Sequence, residues 1–409
     1  MRIALLSYRS KAHVGGQGVY VRQLSHGLVE LGHDVEVISG QPYPEDLDPR
    51  VRLTRLASLD LYRDDDPFRT PRPGEFRDAI DVLEFLTMKT GCFAEPLTFS
   101  LRAARLLRER GDEFDVVHDN QTLGYGMLLM LRRGVPLVTT IHHPISRDFR
   151  VDLAAARGLR KRLGVRQWYR FVAMQARVAR RLPVVIGVSS VSADDTATDF
   201  GIERDRITVV PLGVDTDLFA PRETPRVPGR IVAMASADRP LKGIRHLLDA
   251  VAKLRVDHDI ELCLVSNLEA GGRTERQIEA LGIGDIVRVM PGISDEQLAD
   301  LMASAEVMCV PSLYEGFSLP TVEALASGTP IVASRAGALP EVVGDCAVLT
   351  PPGDVEALVA GIGRLLDDPA ERERLGSAGR ARAEERYSWT SVARATAETY
   401  RAAIDAATT

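Results

Sequence analysis

Paired cysteines are missing from this chain: its four, Cys92, Cys263, Cys309 and Cys346, stand far apart with no short spacing between any two. That pattern excludes a thiolate zinc site and gives no ground for a disulfide framework, so a reducing, cytoplasmic setting is expected. Long apolar runs are also lacking. The opening MRIALLSYRS turns polar after a few residues, and no later run approaches the ~20 residues that cross a bilayer, so neither a signal sequence nor a membrane span is expected. There is no basic excess: 51 Lys and Arg stand against 57 Asp and Glu, a net charge of −6. Nothing global therefore points to nucleic acid as a partner. What is present is 45% apolar content over 409 residues, enough for two well-cored domains.

The chain punctuates itself as alternating strands and helices. RIALLS reads as a strand, HVGGQGVYV as a glycine-rich loop, VRQLSHGLVELG as a helix stopped by Gly32, and DVEVISG as a second strand. FDVVH, VPLVTTIHH and PVVIGVSS are further apolar runs of strand length. Between Val209 and Gly229, PLGVDTDLFAPRETPRVPG collects prolines and turn-formers, which marks a connection between domains. RIVAMAS, IELCLVS, VRVMPG, EVMCVPS and TPIVAS then resume the alternation. The fold class expected is α/β, with two doubly wound Rossmann-like domains facing a central cleft. Their expected extents are 1–212 and 213–387, with an alanine-rich helix over 388–409 packing back on the first domain.

The stretch PSLYEGFSLPTVEALASGTP places Glu315 and Glu323 around a glycine loop and Pro320. It reads as strand end, loop, and helix start, with Pro320 in the first helical turn and Gly328 past the last. Amides of Gly316, Phe317, Ser318 and Leu319 then form an anion site at a helix N-terminus. Carboxylates beside a phosphate repel it, so the two glutamates suit hydroxyls: Glu323 a ribose diol, and Glu315 a sugar beyond the diphosphate. The plainer alternative, a solvated loop glutamate and a helix-dipole glutamate, is equally compatible with this spacing.

EGFSLPTVE followed by ALASGTPIVAS and GALPEVV resembles the donor site of the family 4 retaining nucleotide-sugar glycosyltransferases, which have the GT-B fold. GGQGVYVRQLSHGLVELGHDVEVIS and VVPLGVDTDLFAP extend the resemblance over nearly the whole chain. It implies Glu315 on the donor sugar, Glu323 on the ribose, and Lys242, from LKG, on the diphosphate. A Gly-Arg pair usually precedes that lysine by six residues; here Ser236 stands in its place, and Ser236 or Arg239 is left to meet the phosphate. In the first half, Gly15, Gly16 and Gly18 let the backbone approach the donor phosphates or the acceptor. The histidine that the family sets near the reacting sugar is matched by His142 rather than His143, while His118 and Asp119 line the cleft or serve the structure.

The resemblance further implies transfer of a hexose to an acceptor hydroxyl with retention, without a cofactor or a metal. No Asp-x-Asp pair follows a strand, and Asp64 to Asp66 read as solvated. A uridine diphosphate sugar is the first expectation for the donor and a guanosine one the second. Two alternatives stay open: a sugar-nucleotide epimerase, and a nucleotide-sugar binding protein without turnover. For the acceptor, RGLRKRLGVRQWYRFVAMQARVARRL carries nine Lys or Arg and no acid. At about 100° per residue one helix would gather Arg166, Arg170, Arg177 and Arg181 within roughly 60°. Such a face suits an anionic membrane surface and a lipid-linked acceptor; a soluble acceptor, with the arginines merely solvated, is the alternative.

Overall fold

The computed structural model describes residues 1–10, 16–235 and 238–408. The chain divides into two compact units, Met1–Val210 with Val392–Thr409, and Pro211–Ser391. Each is built on one parallel sheet.

In the first unit the strands are β1 (Arg2–Ser7), β2 (Asp34–Ser39), β3 (Arg52–Arg55), β4 (Val116–Asn120), β5 (Leu137–Ile141), β6 (Val184–Gly187) and β7 (Ile207–Val209). Its helices are α1 (Gly16–Glu30), α2 (Ala79–Lys89), α3 (Glu95–Arg110), α4 (Tyr125–Leu131), α5 (Ser146–Ala155), α6 (Leu159–Trp168), α7 (Arg170–Ala179) and α8 (Ser190–Phe200). The sheet runs β3-β2-β1-β4-β5-β6-β7. The order reverses between β1 and β4, which pair in parallel from Ile3 with Val116 to Leu6 with Asp119.

The second unit holds β8 (Arg230–Met234), β9 (Glu261–Val265), β10 (Val287–Val289), β11 (Val307–Val310), β12 (Ile331–Ser334) and β13 (Ala347–Thr350). Between and after them come α9 (Ile244–Leu254), α10 (Arg273–Leu281), α11 (Asp295–Ala303), α12 (Leu319–Ala326), α13 (Leu339–Val343), α14 (Val355–Asp367) and α15 (Pro369–Arg382). The order β10-β9-β8-β11-β12-β13 repeats the first unit's plan, with the reversal between β8 and β11. In such sheets ligands bind beyond the strands' carboxyl ends at that reversal. The loops to inspect are therefore those after β1 and β4, and those after β8 and β11.

Apart from Arg2, strands β1, β11 and β12 are buried along their length and mostly apolar, as parallel strands covered on both faces must be. The connection expected over 209–229 is not a free linker. From Pro211 it belongs to the second unit, where Arg226 donates to the carbonyls of Ala303, Ala305 and Gly328. The last helix, α16 (Trp389–Thr408), carries a wholly buried Tyr400. From Val392 it is part of the first unit. The tyrosine hydroxyl meets His118 Nδ1 at 2.6 Å, and His118 Nε2 meets Thr140 Oγ1 at 2.8 Å.

Candidate active site

In the second unit the loops after β8 and β11 are laced together. The Leu313 amide donates to the Leu241 carbonyl at 2.8 Å. Gly243, at φ +66°, lies so near the Pro311 carbonyl that a Cβ would stand 2.0 Å from its oxygen. Only glycine serves at a left-handed position under that contact. The turn Pro240–Lys242 is thereby fixed, and the Lys242 ammonium reaches Glu315 Oε1 at 2.8 Å. The same oxygen accepts the Ser312 hydroxyl at 2.7 Å.

Glu315 is buried and its backbone is held as well: its carbonyl accepts the Ala338 amide at 2.9 Å. The lysine thus offsets a carboxylate next to the helix N-terminus that begins at Leu319. Ser318, just before that helix, is held at φ +91°, ψ +86°. Backbone in so unfavourable a region for a residue with a Cβ persists only where its surroundings enforce it, and it gathers at functional sites. Phe317 turns its ring inward, edge-on to Tyr387 at 5.9 Å between centroids, which leaves its backbone for any ligand.

Glu323 sits one turn into α12. Its Oε2 is shielded from solvent and has no hydrogen-bond partner among the described residues. Burial, with a smaller contribution from Asp295, pushes its carboxyl up to about 8. An orphaned buried carboxyl oxygen is costly, and a ligand bringing hydroxyl donors relieves that cost.

In the first unit His142 follows β5 and is fixed from several sides. Its Nε2 lies 2.7 Å from Asn120 Oδ1, and Asn120 Nδ2 donates to the Gln17 carbonyl at 3.4 Å. With the amide so oriented, Nε2 carries the proton and Nδ1 keeps a lone pair. The His142 amide donates to Gln121 Oε1 at 2.7 Å, and the Tyr20 ring stands edge-on to the imidazole at 4.8 Å. Burial, reinforced by His143, pushes His142 down to about 3. Burial, then His142, does the same to His118. Both imidazoles are neutral at physiological pH.

His118 is wholly enclosed between Tyr400 and Thr140. Asp119 accepts from the amides of Thr122 and Leu123 and from the Thr139 hydroxyl; both residues are structural. His143 is exposed and meets Asp148 at 3.0 Å. Asn120, Gln121 and Tyr20, which fix His142, are not singled out by the sequence reading. The polar run after FDVVH is the signal that could have found the first two.

Other expected residues fare differently. Gly15 and Ser236 lie outside the described residues. Gly16 and Gly18 belong to α1, which starts earlier than its apolar periodicity suggests because Tyr20 and Val21 are already buried. Arg239 is exposed, and its carbonyl accepts the Lys242 amide at 3.0 Å. The single basic helix is a correction: the chain bends at Tyr169 (φ −86°, ψ 12°) into α6 and α7. Arg166 lies in the last turn of α6, Arg170 and Arg177 belong to α7, and Arg181 lies beyond its end. The bend lets Trp168 reach Tyr62 and Phe93 while Phe171, Val172 and Val178 enter the core. All four arginines are exposed; Arg177 donates to the Tyr125 hydroxyl at 3.1 Å and Arg181 to the Arg177 carbonyl at 2.9 Å.

Among solved structures, sucrose-phosphate synthase from Thermosynechococcus elongatus is similar with a TM-score of 0.70 and 25% identity, covering 99% of each chain. HepE of Anabaena in complex with UDP-glucose is similar in fold, with a TM-score of 0.68 and 18% identity over 98% of this chain and 100% of its own. Two Rossmann-like sheets of this order, with a lysine and two glutamates around a strand–loop–helix turn, define a glycosyltransferase of the GT-B architecture. Residues 14–218 match the family described as Glycosyltransferase Family 4, and residues 217–382 that described as Glycosyl transferases group 1. An MMP α-(1→4)-mannosyltransferase from Mycolicibacterium hassiacum is 64% identical over 407 residues, 99% of this chain and 98% of the relative. A D-inositol 3-phosphate glycosyltransferase from Xylanimonas cellulosilytica is 30% identical over 98% of this chain and 96% of its own. The chain belongs to glycosyltransferase family 4.

Proposed function

We propose that the chain is a retaining α-mannosyltransferase that moves mannose from a nucleotide-diphosphate mannose to the 4-hydroxyl of a mannose-containing acceptor. The observation that carries this reading is the 64% identity, over nearly the full length of both chains, with an α-(1→4)-mannosyltransferase. Identity at that level through both units favours transfer over epimerisation or binding without turnover.

In this reading Glu323 accepts the ribose hydroxyls, Lys242 and the first amides of α12 hold the diphosphate, and Glu315 holds the sugar. The bond from the anomeric carbon to the phosphate oxygen breaks as the bond to the acceptor oxygen forms on the same face. The acceptor's proton passes to the leaving phosphate oxygen. Lys242 stabilises the charge that develops there, an electrostatic role that a preorganised cation fills without reorganisation. His142, neutral and locked by Asn120, hydrogen-bonds the sugar. Lys242 supplies the cation, so no metal is assigned to the step.

A membrane-surface acceptor is a second reading, favoured by α6. There Leu159 and Leu163, one turn apart, are exposed beside Arg160, Lys161, Arg162 and Arg166. An apolar ridge among cations is suited to the edge of an anionic bilayer.

The test is transfer from UDP-mannose and GDP-mannose to a short α-mannoside, with and without EDTA, and with the product's linkage read by NMR. An α-(1→4) product formed in EDTA is expected. A β-linked product overturns retention, transfer of glucose in preference to mannose overturns the sugar, and loss of turnover in EDTA overturns metal independence. Salt-sensitive sedimentation with anionic vesicles alone is the result the second reading requires.

A further inference from the structure

Helix α2 is partly inverted: it buries two carboxylates and exposes three aliphatic side chains, while only Met88 and Phe85 pack inward on an apolar cluster. Its carboxylates Asp81 and Glu84 are completely buried, while Val82, Leu83 and Leu86 stand 44%, 37% and 56% exposed. The inversion is enforced from inside. Arg102 of α3, itself buried, donates to Asp81 at 2.6 Å and also to Glu84, and Arg77 pairs with Asp81 at 2.8 Å. Removing one partner of such a buried network is strongly destabilising, so the helix is held with Val82, Leu83 and Leu86 outward. The three exposed residues fall on one face, since positions three and four apart are neighbours on a helix.

That face borders a cavity of about 380 Å³. Leu86, Phe93, Leu97, Phe171 and Met174 form its apolar wall, and Arg170, Arg177 and Tyr125 contribute its polar groups. Neither arginine has a carboxylate partner among the described residues; Arg177 donates only to the Tyr125 hydroxyl. In a chain of net charge −6, two cations without counter-charge beside a greasy cavity are complementary to an anion that carries an apolar tail. A second copy of this chain fits less well, because the recess is concave.

We propose that this cavity binds a single-chain amphiphile, with the alkyl chain along Leu86, Leu97 and Met174 and a carboxylate or phosphate head at Arg170 and Arg177. The site lies wholly within the first unit and uses none of the residues assigned to the donor, so it stands apart from the mannosyltransferase reading.

Calorimetry with decanoate and decyl phosphate, both below their micelle concentrations, tests it against decanol and decyltrimethylammonium. Saturable one-to-one binding of the two anions is expected, at least ten-fold tighter than that of the alcohol or the cation. It should weaken ten-fold or more in Arg170→Glu/Arg177→Glu and in Met174→Trp, which fills the cavity. Urea unfolding followed by circular dichroism on the same samples, with both units required to unfold as in wild type, confirms that the variants are folded. If a variant is unfolded, Leu86→Glu on the exposed face replaces it. Vesicles separate the two sources of such a head group. Anionic vesicles that decanoate displaces assign the site to a membrane lipid, and no vesicle binding assigns it to a free amphiphile. No saturable decanoate binding, equal binding of decanol, or binding unaltered by the charge reversal overturns the proposal, as does dimerisation that hides α2.

Discussion

The Lys242 ammonium lies 2.8 Å from Glu315 Oε1, and the same oxygen takes the Ser312 hydroxyl at 2.7 Å. Two residues 73 positions apart in sequence therefore form one charge-compensated unit beside the start of α12. Lys242→Met leaves the Glu315 carboxylate with the Ser312 hydroxyl as its one partner among the described residues and removes the cation proposed to meet the leaving group. Turnover should fall about 10²–10³-fold, as when a preorganised donor is lost from a transition state, and diphosphate affinity should fall with it. Affinity for the nucleoside without phosphates should not change. Steady-state kinetics with nucleoside and diphosphate titrations check this; an equal loss for the nucleoside would mean damaged folding instead of a lost phosphate contact.

Glu323 gives the donor site a pH dependence of definite sign. Burial raises its carboxyl to about 8, so in the free protein it is largely protonated at neutral pH. Ribose hydroxyls donating to it favour the ionised form and lower that value. Donor binding then releases a proton, and affinity rises with pH from about 6.5 to 8.5. Calorimetry of a nucleotide-diphosphate sugar in buffers of different ionisation enthalpy measures the release. It should vanish in Glu323→Gln, and proton uptake by the wild type would refute the ribose contact.

For His142 the shift runs the other way. Its folded value of about 3 lies well below the usual 6.5, so between these limits the unfolded chain binds more protons there than the folded one. The stability conferred by keeping this ring neutral grows as pH rises through that window and is lost on acidification. Glu323 works against it above about 4.5, so the difference between wild type and His142→Gln is the quantity to follow. Urea unfolding at several pH values should show wild type gaining on the variant from pH 4 to 6.5. Transfer by His142→Ala should fall about 10²-fold with the fold intact, and Asn120→Ala should follow it in part. Full activity of His142→Ala would remove the residue from the site.

Much of this fold is written locally. EVMCVPS, RIALLS and TPIVAS are apolar because parallel central strands are buried on both faces, and Gly316, Pro320 and Gly328 mark loop, helix start and helix end where the structure has them. Strands β3, β7 and β13 went unread since they lie at or near sheet edges: RLTR is half-exposed and has no apolar run to announce it. The bend at Tyr169 is silent because apolar periodicity carries straight through it, and only the Trp168 contacts with Tyr62 and Phe93 reveal that two helices are needed. The roles proposed for Glu315 and Glu323 rest on resemblance to relatives, whereas the Lys242 contact, the lock of Asn120 on His142 and the partial inversion of α2 by Arg102 all depend on long-range partners. No local pattern carries those.

The claim on which the rest depends is that Glu323 reads the nucleotide's ribose. A double-mutant cycle between ligand and protein measures it: the tighter-binding of UDP and GDP against its 2′,3′-dideoxy analogue, each titrated into wild type and Glu323→Ala. Removing the hydroxyls should cost wild type on the order of 1–3 kcal/mol, the range for hydrogen bonds to a charged acceptor, and cost the variant almost nothing. An equal penalty in both proteins would show that the hydroxyls and Glu323 do not meet.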